Sequence, residues 1–442
     1  MTFTSKLSAS AIVFFSLGLA SAIFAQNASV SRKTIHPSQN PQAKELNNLL
    51  ATAQEAMTHQ DYATAADSYE KYIAIKSDDA AVHFQLGYVY TALGRPADAK
   101  TEYEKTIALN PKMPEAYLNL GLTLLSSDPK AAVPPLEKFV ALQPHDARAT
   151  YLLGVALEGS GQTQEAIEQY TASLEIDEQS FDAHFALGRA LLKANRFGDA
   201  EAQFRKAIAL KSEDPPAHLG LAQCLLAEKK PEAAASEYET YLEAHPNDAA
   251  IRVERAALLN ETGKSDEALS ELDRAASAGP ASLRALKLRA QIYSEKKQFD
   301  NAIAALQKAA AIAPGDKEIA VQLGHLYLEK KNYPDAVTQL IAAFKQDPSS
   351  NEVLKGLITA QYLNKNYPAA LQGIDLLSKR ETLAPPALFI RASCYDKLGQ
   401  AVEALSAYKI FLQANKEENN DMYFEASARV RSLAKEIQDK KR

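Results

Sequence analysis

The chain is 442 residues long, 46% hydrophobic and 24% charged, which is the composition of an ordinary soluble protein. Its 49 basic and 55 acidic residues give a formal net charge of −6 at pH 7. This acidic balance, without a basic stripe or a motif of stacking aromatic residues, argues against nucleic acid as a partner.

The first 25 residues have the pattern of a secretory signal. Lys6 precedes an apolar stretch over residues 11–20, and small residues follow at Ala22 and Ala25. An uncleaved membrane anchor is the alternative, because residues 9–25 form a mostly apolar segment of 17 residues, the short end of the about 17–25 residues that span a bilayer. We predict a bacterial signal peptide over residues 1–25, no stable membrane insertion after cleavage, and a periplasmic or secreted protein.

A short spacer leads to a long periodic region. Residues 26–45 are rich in Asn, Ser, Gln and Pro, which predicts a disordered spacer. Over residues 46–418 an alanine then recurs every 34 residues, with one step of 33: Ala65, Ala99, Ala132, Ala166, Ala200, Ala234, Ala268, Ala302, Ala336, Ala370 and Ala404. A mostly small residue lies twelve positions before each alanine, and a large apolar residue lies four positions after it. A fixed period of this size predicts a solenoid of repeated units.

The apolar spacing within one period predicts two helices. In the second repeat the first apolar run consists of Phe84, Leu86, Val89, Tyr90 and Leu93, and the second of Ala99, Tyr103, Ile107 and Leu109. Gly94 and Pro96 separate the runs, and Asn110-Pro111 ends the second. Each run has helical periodicity and is too long for a strand, so each repeat is predicted to be a helical hairpin with small residues where its helices cross.

Three departures from this pattern lead to local expectations. In the third repeat Pro134 falls inside the second helix, so we expect that helix to kink or to start late. Arg255, Arg289 and Arg391 replace the leucine before the small residue, and we expect their charged ends to lie in water. Ile358 occupies the small-residue position of the tenth repeat, where we expect a looser joint.

The two cysteines, Cys224 and Cys394, hold equivalent positions in the sixth and eleventh repeats. Five stacking steps of ~10 Å separate them by ~50 Å, far beyond the ~7 Å that a disulfide permits. Both are predicted to be free thiols packed in first helices.

Residues 419–442 contain one more predicted helix, from Asp421 to Lys441, with an apolar face and a polar face. A solenoid needs a polar cap over its last repeat, and this helix fits that role. A membrane-surface helix is the less favoured alternative, because acidic residues interrupt its basic ones.

These features resemble the tetratricopeptide repeat family. Leu86-Gly87, Tyr90, Ala99, Tyr103 and Pro111 follow its L-G-x-x-Y…A-x-x-x-F…P pattern, and several other repeats follow it in part. The resemblance implies an all-α, right-handed superhelical solenoid of about eleven helix-turn-helix repeats over residues 46–418, with a C-terminal capping helix. It implies protein binding in general but no particular partner.

The repeats contain no recognisable enzyme signature: no glycine-rich phosphate loop, His-x-x-x-His pair, cysteine pair or Gly-x-Ser-x-Gly motif. His184 and His218 come from adjacent repeats, but both occupy a helix-opening packing position. We therefore predict a non-catalytic protein with no catalytic residue, no metal site and no cofactor.

In the family that the chain resembles, first helices line a concave groove. Many of the matching positions of repeats two to six are apolar or aromatic, and the predicted protein-binding residues are Phe84, Tyr88, Leu118, Leu122, Tyr151, Val155, Phe185, Arg189, Leu192 and Leu219. Arg189 and Lys193 could hold an acidic group on a ligand. In repeats seven to eleven the same positions become polar, and packing within a tight superhelix is the alternative explanation for the apolar ones.

Two functions fit these observations. The first is a protein-protein interaction scaffold of the bacterial envelope that binds protein or peptide segments in the groove. The second is a recruiting or regulatory subunit of an envelope enzyme acting on peptide or glycan. Other proteins or peptides are the expected partners in both cases, and self-association remains open.

Overall fold

The computed structural model describes residues 41–415 and 421–440. Every regular element in these residues is an α-helix, and 23 helices follow one another from Pro41 to Lys440. They divide into two compact units, with the boundary between Tyr241 and Leu242. We call the units unit 1 and unit 2. The predicted all-α class is confirmed for the described part of the chain.

Unit 1 contains the first six repeats, each with an odd-numbered first helix and an even-numbered second helix. Its helices are α1 (Pro41–Thr58), α2 (Tyr62–Ile75), α3 (Ala80–Ala92), α4 (Pro96–Leu109), α5 (Pro114–Leu125), α6 (Pro129–Leu142), α7 (Ala147–Gly159), α8 (Thr163–Ile176), α9 (Phe181–Lys193), α10 (Phe197–Leu210), α11 (Pro215–Ala227) and α12 (Pro231–Ala244), which contains the boundary.

Unit 2 contains repeats seven to eleven and the C-terminal helix. Its helices are α13 (Ala249–Glu261), α14 (Ser265–Ala278), α15 (Leu283–Glu295), α16 (Phe299–Ile312), α17 (Lys317–Glu329), α18 (Tyr333–Gln346), α19 (Asn351–Leu363), α20 (Tyr367–Ser378), α21 (Pro385–Lys397), α22 (Ala401–Ala414) and α23 (Asp421–Lys440).

Helix pairs stack in chain order within each unit. In repeats one to five and seven to eleven, the first helix packs against its own second helix, and the second helix packs against the next first helix within the unit. All eleven alanines of the predicted series are 0% exposed. A Cβ atom at Gly154 would lie 2.6 Å from the Tyr170 ring, so that crossing requires glycine. The predicted solenoid of helical hairpins is confirmed.

Side-chain caps explain where many of the first helices begin. An Asp or Ser before the helix accepts a hydrogen bond from a backbone N–H of its first turn, which would otherwise lack a partner. These capping residues are Asp79, Asp146, Ser180, Asp214, Asp248, Ser282, Asp316 and Ser350.

The expected late start of the third repeat's second helix is wrong. Helix α6 runs from Pro129 to Leu142 and contains Pro134. The Asp128 side chain caps it by accepting a hydrogen bond from the Ala131 N–H at 3.0 Å, and Pro129 at the first position needs no partner there. Burial of the α6 face that includes Leu136 holds the helix together although proline removes a backbone hydrogen bond.

The charged ends of the three substituted arginines all bind carboxylates, and Arg255 departs from expectation because it does so in the core. Arg255 is buried, and its Nη1 donates to Glu271 Oε1 at 2.8 Å. Arg289 Nη1 lies 2.6 Å from an Asp273 oxygen, and Arg391 Nη2 lies 2.5 Å from an Asp375 oxygen. The acidic partners lie on second helices, sixteen residues away in sequence. Glu271 is buried, whereas the side chains of Asp273 and Asp375 are mostly exposed, so only the Arg255 pair is withdrawn from water.

The described residues bear on both ends of the predicted organisation. Helix α1 starts at Pro41, so the last five residues of the predicted spacer, 41–45, are helical and not disordered. The signal peptide and the rest of the spacer lie outside the described residues. Helix α23 packs on α22, with Ala426 and Leu433 buried beside Phe411 in one apolar cluster.

The cysteines are free and buried, as predicted. Burial raises the pKa of both the Cys224 and the Cys394 thiol to about 12. Because the thiolate is the reactive form, both side chains act as small apolar core residues.

Candidate functional site

The first helices of repeats two to six form one layer of unit 1. Helix α3 contacts α5, α5 contacts α7, α7 contacts α9, and α9 contacts α11. The ten predicted binding residues lie on these five helices, and we call them the apolar face. Nine of them are half-buried, whereas Leu219 is only 7% exposed and belongs to the core.

Three aromatic residues of the apolar face rest on the core. The Phe84 ring lies 5.9 Å from that of Tyr103, Tyr151 lies 5.7 Å from Tyr170, and Phe185 lies 5.9 Å from Phe204. The partner is always nineteen residues later, on the second helix of the same repeat. These rings therefore contribute to packing and to the surface, which combines the two explanations that the sequence left open.

Burial moves the ionisation of the phenol groups of this face further above neutral pH. It raises the pKa of Tyr88 and of Tyr151 to about 12, and nearby charged or phenolic groups modify the effect. At neutral pH these side chains offer an apolar ring and a hydroxyl group, a combination that suits a binding surface.

Arg189 is the charged member of the apolar face. Its Nη2 donates to Glu158 Oε2 at 2.7 Å, and the Tyr170 hydroxyl donates to the same oxygen at 2.9 Å. Burial is the largest single effect and lowers the pKa of Arg189, but the charge and hydrogen bond of Glu158, together with Tyr170 and Tyr151, raise it overall. Its Nε is buried and has no acceptor among the described residues. Lys193, one turn further along α9, is exposed.

The equivalent polar positions of unit 2 are largely occupied by ion pairs. Arg284 binds Glu254, Lys287 Nζ lies 2.6 Å from Glu318, and Lys355 Nζ lies 2.7 Å from Glu381. Most of these pairs join neighbouring repeats, so these side chains stabilise the stack of unit 2.

The fourth residue of several first helices makes polar contacts that the sequence did not predict. In repeats two, five, six and seven this residue bonds a backbone oxygen six positions earlier and a side chain nineteen positions later. The side-chain pairs are His83–Glu102 at 2.5 Å, His184–Gln203 at 2.8 Å, His218–Glu237 at 2.6 Å and Arg252–Glu271 at 2.6 Å. We call these pairs clasps. Polar residues at both positions, nineteen apart, are the sequence feature from which the clasps could have been predicted. The role of the clasps is structural.

Neither a metal-binding cluster nor a membrane-spanning helix occurs among the described residues. Among the described residues, no group of three or more His, Cys, Asp and Glu side chains could hold a metal ion. None of the helices in the described ranges has the length and apolar character needed to cross a membrane.

Comparison with protein families gave matches along much of the chain. Three models described as "Tetratricopeptide repeat" match residues 50–99 and 185–249, residues 225–292 and 294–355, and residues 386–416. A fourth, described as "TPR repeat", matches residues 87–127 and 159–195. No enzyme family is among these matches, and no curated protein was found to match the chain.

Several solved structures are similar to part of the chain. MamA 41-end from Desulfovibrio magneticus RS-1 is 27% identical over 40% of this chain and 98% of its own, with a TM-score of 0.36. PilF of Pseudomonas aeruginosa is 24% identical over 49% of this chain and 97% of its own, with a TM-score of 0.38. YrrB, described as a TPR protein with an unusual peptide-binding site, is 19% identical over 42% of this chain and 97% of its own, with a TM-score of 0.39.

The family matches together cover more than half of the 442 residues, and they fall on the helix pairs described above. Tetratricopeptide repeats are interaction modules that bind other proteins. The chain belongs to the tetratricopeptide repeat family.

Proposed function

We propose that the chain is a non-catalytic interaction scaffold of the bacterial envelope that binds protein or peptide segments on the apolar face of unit 1. The observation that carries this proposal is the continuous layer α3–α5–α7–α9–α11, whose helices have half-buried apolar residues at equivalent positions of successive repeats. Contiguous accessible apolar surface usually marks an interaction site.

The contrast with unit 2 supports the choice of this surface. There the corresponding polar residues are mostly paired with one another, so a ligand would have to compete with existing ion pairs. On the apolar face an incoming apolar side chain displaces only water. The half-buried rings Tyr88, Tyr151 and Phe185 are residues of the type that contributes most to binding energy at interfaces.

The envelope location rests on the sequence of residues 1–25, with its lysine, apolar stretch and small residues. Expression of the full chain followed by N-terminal sequencing and cell fractionation tests this part. Cleavage near Ala22 or Ala25 and recovery from the periplasm or medium is the expected result. An intact N-terminus with recovery in the cytoplasm would overturn it.

Site-specific crosslinking tests the binding surface. A photoreactive phenylalanine analogue placed at Tyr88 or Leu122 should crosslink to proteins in the intact envelope. The matched controls place it at Leu109 and Ile176, which are exposed apolar residues at the ends of second helices. Crosslinks from the face positions alone support the proposal, whereas equal or exclusive crosslinking from the control positions would refute it.

A further inference from the structure

Arg189 lies among the mostly apolar residues of the apolar face, and only some of its N–H donors have an acceptor. Its one hydrogen bond within the described residues runs from Nη2 to Glu158, and its buried Nε has no acceptor. Buried donors without partners are rare in proteins, and each costs about 1–3 kcal/mol. The guanidinium has five N–H donors, and its side chain is 40% exposed, so several donors remain uncommitted.

A second arginine in the molecule shows what a completed arrangement looks like. In unit 2, Arg429 of α23 donates from Nε to Asp396 Oδ2 at 2.6 Å and from Nη2 to Asp396 Oδ1 at 2.5 Å. The Tyr408 hydroxyl donates to the same carboxylate at 3.3 Å. Tyr408 follows Asp396 by twelve residues, the spacing of Tyr170 and Glu158. The two sites have the same three parts, but only Arg429 engages its acid through two nitrogens.

We propose that Arg189 binds the carboxylate of an acidic side chain, Asp or Glu, within a peptide segment whose flanking residues are apolar. This inference rests on the proposed function. Glu158 and Tyr170 hold the guanidinium in place, which reduces the entropy lost when it binds a ligand. Tyr151 of α7 lies close enough to Arg189 to influence its pKa, and Val155 of α7 and Leu192 of α9 are half-buried residues of the same apolar face. A charge-assisted bond at such a site is stronger than one in open water.

The position of Arg189 in the layer favours an internal acidic residue over a C-terminal carboxylate. Helix α9 is the fourth of the five first helices in the layer, with α7 on one side and α11 on the other. A peptide can therefore continue past Arg189 in both directions. Lys193 adds a second, exposed positive charge on the same helix.

The test is selection of random 16-residue peptides on the mature chain, followed by affinity measurement with the selected peptides. We expect one fixed Asp or Glu between apolar positions. Arg189→Gln should weaken binding tenfold or more, and Glu→Gln in the peptide should have the same effect on the wild type but almost none on Arg189→Gln. The matched control is Arg196→Gln, because Arg196 pairs with Asp199 at the exposed start of α10 and should not affect binding.

A second variant separates a ligand contact from a purely structural role. Glu158→Gln removes the charge that competes for Arg189, so it should tighten binding of the acidic peptides. If Arg189 served the fold alone, this variant would weaken binding or leave it unchanged. Circular dichroism of each variant shows that the helices are retained.

The outcomes distinguish this inference from the proposed function. Selection of apolar peptides without a fixed acid would overturn the inference and leave the apolar face as a binding surface. Loss of affinity on C-terminal amidation, with no effect of the internal Glu→Gln change, would also overturn it. Failure to select any peptide would contradict the proposed function as well.

Discussion

Unit 1 and unit 2 share one helix-pair framework but place their polar side chains differently. In unit 1, three of the clasps lie inside single repeats, and the first-helix positions of repeats two to six are mainly apolar. In unit 2 several lysines and arginines of one repeat bind acids of the neighbouring repeat, as in Arg284–Glu254, Lys287–Glu318 and Lys296–Asp266.

This difference shows how one repeat can serve two purposes. The alanines and large apolar residues of the core fix the helix pairs in both units, so the remaining positions of the first helix are free to vary. Where these positions are apolar, they leave accessible surface for a partner. Where they are charged and complementary, they stabilise the contact between neighbouring repeats.

The largest expected effect concerns the clasps, which contain histidine in unit 1 and arginine in unit 2. Glu271 is 3% exposed and binds both Arg252 and Arg255. Because arginine stays charged, Glu271→Leu should leave two buried charges without their acid and cost about 3–5 kcal/mol. Hydrogen exchange of residues 249–278 measures this loss.

Glu102→Gln in unit 1 is the matched comparison. The equivalent His184 Nδ1 lies 2.8 Å from the amide oxygen of Gln203, so this position accommodates an imidazole–amide pair and we expect a cost of about 1 kcal/mol or less. Equal losses of protection in the two variants would show that the charged state of the clasp does not matter.

The next effect tests the helix crossings that both units share. Gly154→Val places side-chain atoms where the Tyr170 ring already lies, since even a Cβ atom would be 2.6 Å away. Overpacking of this kind costs about 1–3 kcal/mol. Hydrogen exchange should increase around repeat four and much less in unit 2, because each repeat touches only its neighbours. The control Gln223→Val, an exposed position on α11, should change little, and a uniform increase along the chain would contradict local coupling.

The framework could be predicted from the sequence because its positions repeat eleven times. One period of 34 residues fixes the alanine that is always buried, the residue packed on it and the helix ends. Single departures were harder to interpret. Ile358 is 2% exposed because Gly373 on the partner helix gives it room, with the Ile358 Cγ1 only 2.7 Å from where a Cβ of residue 373 would lie. In this repeat the small residue at the helix crossing is on the second helix and the large one is on the first.

The candidate site was predictable only as a set of positions. Helical periodicity identifies which residues share the first-helix face, and the structure keeps nine of the ten half-buried. The sequence could not show that Glu158 binds Arg189, thirty-one residues later, because that pair depends on how two neighbouring repeats stack. The clasps were missed because their partners lie on different helices of one repeat, so each pair depends on how those two helices pack.

A smaller effect is expected from salt. Ion pairs between exposed side chains contribute about 0–1 kcal/mol each and weaken as ionic strength rises. Raising NaCl from about 0.1 M to about 1 M, where the screening length falls to about 3 Å, should therefore reduce the protection of unit 2 more than that of unit 1. Hydrogen exchange measured on peptides from both units in one sample compares the two losses of protection under identical conditions. An equal change in both units would mean that the pairs between repeats add nothing to unit 2.

The smallest effect is the acid response of one ion pair within repeat nine, Lys317–Asp347. Hydrogen bonds from Ser349 and then Lys317 lower the pKa of Asp347 to about 2. A carboxylate with a folded pKa below its unfolded value, about 3.9, stabilises the fold above that value, and the contribution is lost as pH falls towards 2. Protection of α17 and α18, corrected for intrinsic exchange rates, should therefore decrease between about pH 4 and pH 2. Asp347→Asn should show slightly lower protection at neutral pH and a smaller decrease on acidification. The same acid response in both proteins would assign it to other carboxylates of unit 2, such as Asp316 and Glu381, whose pKa values are also lowered.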